Sequence, residues 1–130
     1  MLPSSSTKPA VYVVDDDFGV LSSLRFALET DGFDVTAFKS GLALLDVIDT
    51  TAADCFVIDY KMPNMSGIDL AMRLRRCGIE TPIILMTGYP GDDILPKAIA
   101  AGIDHVLLKP HVEESLASLV RGVIRERLAR

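Results

Sequence analysis

Five short apolar runs recur along the chain. Four close on a charged or hydroxyl residue, and most are followed by a stretch whose apolar positions return at helical spacing. Runs of this length between turn signals read as strands buried on both faces of a parallel sheet. The first is Val11-Tyr12-Val13-Val14, closed by Asp15-Asp16-Asp17. The helix after it runs from about Phe18 to Glu29 with Leu21, Leu24 and Leu28 on one face, and Asp31-Gly32 stops it. Asp34 to Phe38 is more polar, as an edge strand can be. Ser40 is placed to cap a helix reaching about Asp49 and burying Leu44, Leu45 and Ile48. The third run, Cys55 to Ile58, ends abruptly in Asp59. Ser66 caps a third helix, Ile68 to about Arg76, whose polar face carries Arg73, Arg75 and Arg76.

After Thr81-Pro82 the run Ile83-Ile84-Leu85-Met86 ends at Thr87. A fourth helix follows Gly88-Tyr89-Pro90-Gly91 and ends near Ala101-Gly102. Pro96 lacks an N–H and is tolerated only in a first turn, so this helix should start late, near Asp93 to Leu95, and be short. His105 to Leu108 is the fifth strand, closed by Lys109-Pro110. The last helix, about Glu113 to Glu126, is apolar at positions 116, 119, 120, 123 and 124. Five strand–helix units predict an α/β fold, a doubly wound five-stranded parallel sheet with helices on both faces. Right-handed crossovers leave few strand orders. The flavodoxin-like order 2-1-3-4-5 puts the polar second strand at an edge.

The 130 residues fit one domain, expected over residues 10–130 after a flexible Ser- and Pro-rich tail, residues 1–9. That tail has no apolar segment of the signal-peptide kind, and no run approaches the roughly 18–20 apolar residues that span a bilayer. A net charge of −5 offers no electrostatic footprint for nucleic acid. Cys55 and Cys77 make neither a disulfide framework nor a zinc pattern, so the reducing cytoplasm is the expected compartment. No Gly-x-Gly-x-x-Gly follows the first strand and no Gly-rich loop ends in Lys-Ser or Lys-Thr, which argues against nucleotide binding.

In a parallel sheet the carboxyl ends of the strands share one edge, where chemistry gathers. Here that edge collects Asp15-Asp16-Asp17, Asp59, Thr87 and Lys109. Each has an ordinary reading as a turn, cap or strand residue; four equivalent positions filled together make a site. Crowded carboxylates repel unless a cation joins them. Mg²⁺, with Mn²⁺ as a substitute, suits such oxygen ligands and leaves room for a phosphate. The chemistry expected is phosphoryl transfer: a carboxylate nucleophile, a metal, and a Lys and a hydroxyl for the phosphoryl oxygens.

The set Val13-Val14-Asp15-Asp16-Asp17, Asp59-Tyr60-Lys61-Met62-Pro63 with Gly67, Thr87-Gly88 and Lys109-Pro110 resembles the receiver domain of bacterial two-component response regulators, of the nitrogen-fixation regulator type. The resemblance covers about Val11 to Arg127. It implies that Asp59 accepts a phosphoryl group from a histidine kinase or phosphotransfer protein. Asp16, Asp59 and the backbone carbonyl of Lys61 would bind Mg²⁺, and Asp15 would act through a metal water. Thr87, with Gly88 beside it, and Lys109 would hold the phosphoryl oxygens, and Lys109-Pro110 is similar to the family's cis peptide. Asp17, Lys61 and Tyr89 would flank the site, Tyr89 shielding the acyl phosphate from water. Such a domain is a phospho-acceptor rather than an enzyme, with autophosphorylation from small donors and slow self-dephosphorylation as side activities. The family also implies homodimerisation through the helix-four, strand-five, helix-five face.

The pattern departs from the family at three places beside that face. Val106 stands where the family has Tyr or Phe, Pro96 interrupts the fourth helix, and His111 replaces a Phe. Two alternatives stand beside the receiver reading. One is a haloacid-dehalogenase-like small phosphatase with Asp15 as nucleophile and Asp17 as acid/base. It lacks a later acidic pair and leaves Asp59 idle. The other is a non-phosphorylated pseudo-receiver that only binds. Output is read as protein contact, phosphate relay, or action through a DNA-binding domain not contained in these residues.

Overall fold

The computed structural model describes residues 8–50, 52–88, 91, 93–109 and 112–129. Five strands, β1 (Ala10–Val14), β2 (Asp34–Phe38), β3 (Cys55–Asp59), β4 (Ile83–Thr87) and β5 (His105–Leu108), pair in parallel in the order β2-β1-β3-β4-β5. Every residue of β3 and β4 is buried, whereas β2 alternates exposed and covered positions as an edge strand does. The five helices are α1 (Phe18–Thr30), α2 (Gly41–Leu45), α3 (Gly67–Arg76), α4 (Ile94–Ala100) and α5 (Val112–Leu128).

Two apolar layers follow from the alternation of side chains along each strand. Val11, Val13, Cys55, Val57, Ile84 and Met86 face Leu21, Leu24 and Leu28 of α1 and Leu116, Val120 and Val123 of α5. Val14, Phe56, Ile58, Ile83 and Leu85 face α2, α3 and α4, including Leu44, Leu70, Leu74, Ile94 and Ala98. Each fully buried aliphatic side chain contributes about 1.5–3 kcal/mol, so the two layers pin every strand end to a fixed height.

The helix boundaries show how local chemistry acts. Ser66 accepts from the Asp69 N–H at 3.1 Å while the Asp69 carboxylate accepts from the Ser66 N–H, a reciprocal cap that starts α3. Gly32, at φ +96°, ends the turn after α1. Helix α4 is short and begins at Ile94, as Pro96 requires. Its N-cap Asp93 makes no capping bond: its own backbone is helical rather than extended, and Pro96 at the third helical position offers no N–H; the Asp93 carboxylate instead pairs with Lys97 at 3.1 Å.

One expectation is corrected. The second helix does not run to Asp49. It stops at Leu45, and a single 3₁₀ turn, Ile48–Thr50, follows. Asp46, Val47, Ile48 and Asp49 are all poor helix formers, and the Val47 N–H bonds back only three residues, to the Leu44 carbonyl. Of the three residues expected inside, Leu44 is buried while Leu45 and Ile48 are only partly covered. The tail expected at residues 1–9 falls outside the described residues up to Thr7, as do Tyr89, Pro110 and His111.

Candidate functional site

The carboxyl edge of the sheet opens into a cleft of about 610 Å³ lined by Asp15, Asp16, Asp17, Val20, Asp59, Tyr60, Lys61, Thr87, Gly88 and Lys109. Neighbouring strands set these residues at one height. Met86 lies opposite Asp59 in the ladder, and the Lys109 N–H donates to the Thr87 carbonyl at 2.9 Å, carrying the β4–β5 pairing one step past the strand.

Asp15, Asp16 and Asp59 each offer a carboxylate oxygen, and these oxygens lie within 4.8 Å of one another. Asp15 and Asp59 are buried; Asp16 is exposed. The Lys109 ammonium sits 2.8 Å from Asp59 Oδ1 and 3.7 Å from Asp15 Oδ2. Burial pushes Asp15 up to about 6; the Asp17 backbone N–H, which donates to Asp15 Oδ1 at 3.0 Å, offsets part of this, and the charge of Asp59 adds to it. Burial likewise raises Asp59, with Lys109 pulling it partly back. Burial alone would lower Lys109, yet its contacts with Asp59 and Asp15 prevail and hold it above the ordinary lysine range.

One cation for two buried carboxylates leaves the pair undercompensated. The sign is visible at Asp15 Oδ2, a buried oxygen with no hydrogen-bond partner. An orphaned buried oxygen beside two further carboxylate oxygens fits a hard divalent cation, whose binding would remove both the repulsion and the unmet acceptor.

The residues expected at the site converge here, with distinct parts. Asp17 is committed locally: its Oδ1 accepts from the Val20 N–H at 3.2 Å and caps α1. A capping carboxylate is poorly placed to act as acid/base, which removes the support for the phosphatase alternative. Lys61 lines the cleft with an exposed side chain. Val106 is half-buried against the core on the α4 side, and Pro96 lies in the first turn of α4, so neither enters the cleft. Tyr89 and the Lys109–Pro110 peptide lie outside the described residues.

Gly67 belongs to the site in a way the sequence signals only as a loop breaker. Its N–H donates to the Tyr60 carbonyl at 2.8 Å, and a Cβ built on it would overlap the Asp59 carbonyl oxygen. The start of α3 is thus pressed against the backbone of Asp59, where only glycine fits. Tyr60, next to Asp59, also lines the cleft.

A five-stranded 2-1-3-4-5 sheet with a carboxylate triad and a lysine at its carboxyl edge is the frame of a phospho-signalling module. The sequence matches the family model "Response regulator receiver domain" over residues 11–121, and the chain belongs to that family. It is 34% identical over 121 residues to the transcriptional regulatory protein FixJ of Bradyrhizobium diazoefficiens, covering 93% of this chain and 59% of that one. It is 35% identical to the response regulator TmoT of Ectopseudomonas mendocina over 115 residues, covering 88% and 52%. The chain therefore spans between half and three fifths of the length of these relatives. Among solved structures, the receiver domain of the Francisella response regulator 1452 superimposes with a TM-score of 0.86 at 30% identity over 92% of this chain and 99% of that one. Full-length FixJ superimposes with 0.85 at 34% identity, covering 92% of this chain and 59% of that one. Among the described residues no helix is long and apolar enough to cross a membrane.

Proposed function

We propose that Asp59 is the phospho-acceptor, taking a phosphoryl group from a phosphohistidine on a partner kinase or phosphotransfer protein. The observation that carries this reading is the convergence of three carboxylate oxygens within 4.8 Å, with the Lys109 ammonium 2.8 Å from Asp59. An Asp59 carboxylate oxygen forms the new P–O bond as the donor's P–N bond breaks, and the bond's electron pair leaves with the imidazole. Asp59 needs no general base, since it is ionised once the cleft holds its cations. Lys109 moves from the carboxylate to a phosphoryl oxygen, and the Thr87 hydroxyl binds another.

Asp15, Asp16, Asp59 and the Lys61 carbonyl are the groups that would hold Mg²⁺ or Mn²⁺. A bound divalent ion supplies charge neutralisation as negative charge builds on the transferring group. The domain acts as a signalling acceptor, with self-phosphorylation from small donors as a side reaction. Two free cysteines, one buried and one exposed, are consistent with the cytoplasm. The exposed apolar side chains Leu95, Ile99 and Leu108 on α4 and β5 support self-association through that face. The test is incubation with acetyl phosphate and Mg²⁺ followed by intact mass. One added phosphoryl group on the wild type and none on Asp59→Asn is expected. No addition to the wild type would leave the pseudo-receiver, and addition to Asp59→Asn would move the acceptor elsewhere.

A further inference from the structure

The residue after Asp59 stands between the cleft and α4. The Tyr60 N–H donates to the Met86 carbonyl at 2.8 Å, which carries the β3–β4 ladder one step beyond the Asp59–Met86 pair. Tyr60 is thereby the neighbour of Thr87. Alternation puts it on the same face of the sheet as Phe56 and Ile58, and it packs on the apolar layer that holds Ile94 and Ala98 of α4. It also lines the cleft together with Asp59, Thr87 and Lys109. Tyr60 thus borders both the reacting groups and the layer beneath α4. In β5 the residue packing on this layer is the small Val106, which lies opposite Leu85.

Helix α4 is built to respond at one end only. Its carboxyl end is tied down: the Arg75 guanidinium donates to the Gly102 carbonyl at 2.7 and 3.1 Å, and the Asp104 carboxylate that Arg75 also contacts accepts from the Ile83 N–H at 2.8 Å. Its amino end has no side-chain cap and is held by the Ile94 N–H, which donates to the Gly91 carbonyl at 3.0 Å, and by the exposed Asp93–Lys97 pair.

We propose that Tyr60 is the positioning residue through which helix α4 senses the state of Asp59, its ring acting on the layer that holds Ile94 and Ala98. This deepens the phospho-acceptor reading and rests on it. When Thr87 and Lys109 turn to a phosphoryl group on Asp59, the neighbouring Tyr60 ring must resettle. The first turn of α4, which carries Ile94 of that layer and has no side-chain cap, is the part of the helix that follows it. Movement at its amino end then passes to Leu95 and Ile99, which are exposed on this short helix.

The experiment is amide-shift mapping of the whole chain with acetyl phosphate and Mg²⁺, for wild type, Tyr60→Leu, Tyr60→Met and Tyr60→Phe. Intact mass allows comparison at equal phosphate occupancy. Expected is a fall of the α4 amide shifts to less than half of wild type in Tyr60→Leu and Tyr60→Met, with shifts close to wild type in Tyr60→Phe, which keeps the ring. Wild-type α4 shifts in phosphorylated Tyr60→Leu would overturn the role of Tyr60 while leaving Asp59 as acceptor. Absence of phosphate on the wild type would overturn both. Should Tyr60→Leu fail to fold, Tyr60→Met decides: full α4 shifts in it overturn the inference.

Discussion

The Lys109 ammonium lies 2.8 Å from Asp59 Oδ1 but 3.7 Å from Asp15 Oδ2, so it is bonded to one carboxylate and only near the other. Lys109 and an incoming divalent ion therefore compete for the same negative charge. Lys109→Met is expected to tighten Mg²⁺ binding by roughly threefold to tenfold. In the absence of divalent ions it should destabilise the fold by about 1–3 kcal/mol, because two buried carboxylates lose the compensating charge of Lys109. Titration calorimetry and denaturant melts check the two effects; unchanged affinity would show that Lys109 does not screen the metal position.

Asp15 gives a pH signature. Its carboxyl is raised to about 6 in the fold from an ordinary value of 3.8. A group raised on folding contributes stability that is present below its unfolded value and is lost as pH rises through the folded one. The metal-free protein should accordingly lose stability between about pH 4 and 6 from this group, with Asp59 acting in the same direction. Asp15→Asn removes the loss and should stabilise the metal-free protein by about 1–3 kcal/mol above pH 7. Mg²⁺ should shrink that gain, since a bound cation cancels the same repulsion. Melting temperature against pH, with and without Mg²⁺, reads both.

Gly67 and Gly88 make a matched pair. A Cβ on Gly67 meets the Asp59 carbonyl oxygen and comes within 2.7 Å of Leu85 Cδ1, whereas nothing lies within 4 Å of one on Gly88. Backbone cannot swing aside as a flexible side chain can. Gly67→Ala should cost about 1–3 kcal/mol and slow phosphorylation by displacing Asp59, while Gly88→Ala stays within about 0.5 kcal/mol. Chemical denaturation and the rate of phosphate uptake are the measurements.

Three arginines of α3 should behave unequally. Arg75 donates to the carbonyls of Gly102, Ile79 and Thr81 and pairs with Asp104 at 3.2 Å. Burial lowers its pKa, with Asp104 opposing. Arg75→Ala should destabilise by about 2–4 kcal/mol through carbonyls left without donors. Arg75→Lys should recover little, for want of a planar fork. Arg73→Ala and Arg76→Ala, on the exposed face, should stay within about 0.5 kcal/mol. Equal melting points for all the variants would remove the clamp.

Much of this was legible before any coordinates. The runs Val11–Val14, Cys55–Ile58 and Ile83–Met86 are strands because they are short, rich in β-branched residues and bounded by turn signals. Their polar ends therefore meet at one edge. Pro96 set the start of α4 because its missing N–H acts within one turn. The second helix was less legible: a Ser cap and three apolar positions promised more than Asp46 to Asp49 could sustain, since the gain from burying Leu45 and Ile48 was only partial.

What the sequence determined by itself is what depends on neighbours along the chain: strands, caps, turns, and the identities of Asp15, Asp16, Asp59, Thr87 and Lys109. What the tertiary structure decided is what depends on approach across the chain. It bonded Lys109 to Asp59 and left Asp15 Oδ2 without a hydrogen bond. It separated Arg75 from Arg73 and Arg76, which share one helix and one residue type. It also pressed Gly67 onto the Asp59 carbonyl and set Tyr60 between the cleft and the layer under α4. Spacing along a chain fixes which face a side chain takes, but distance, burial and charge compensation arise only when separate elements pack.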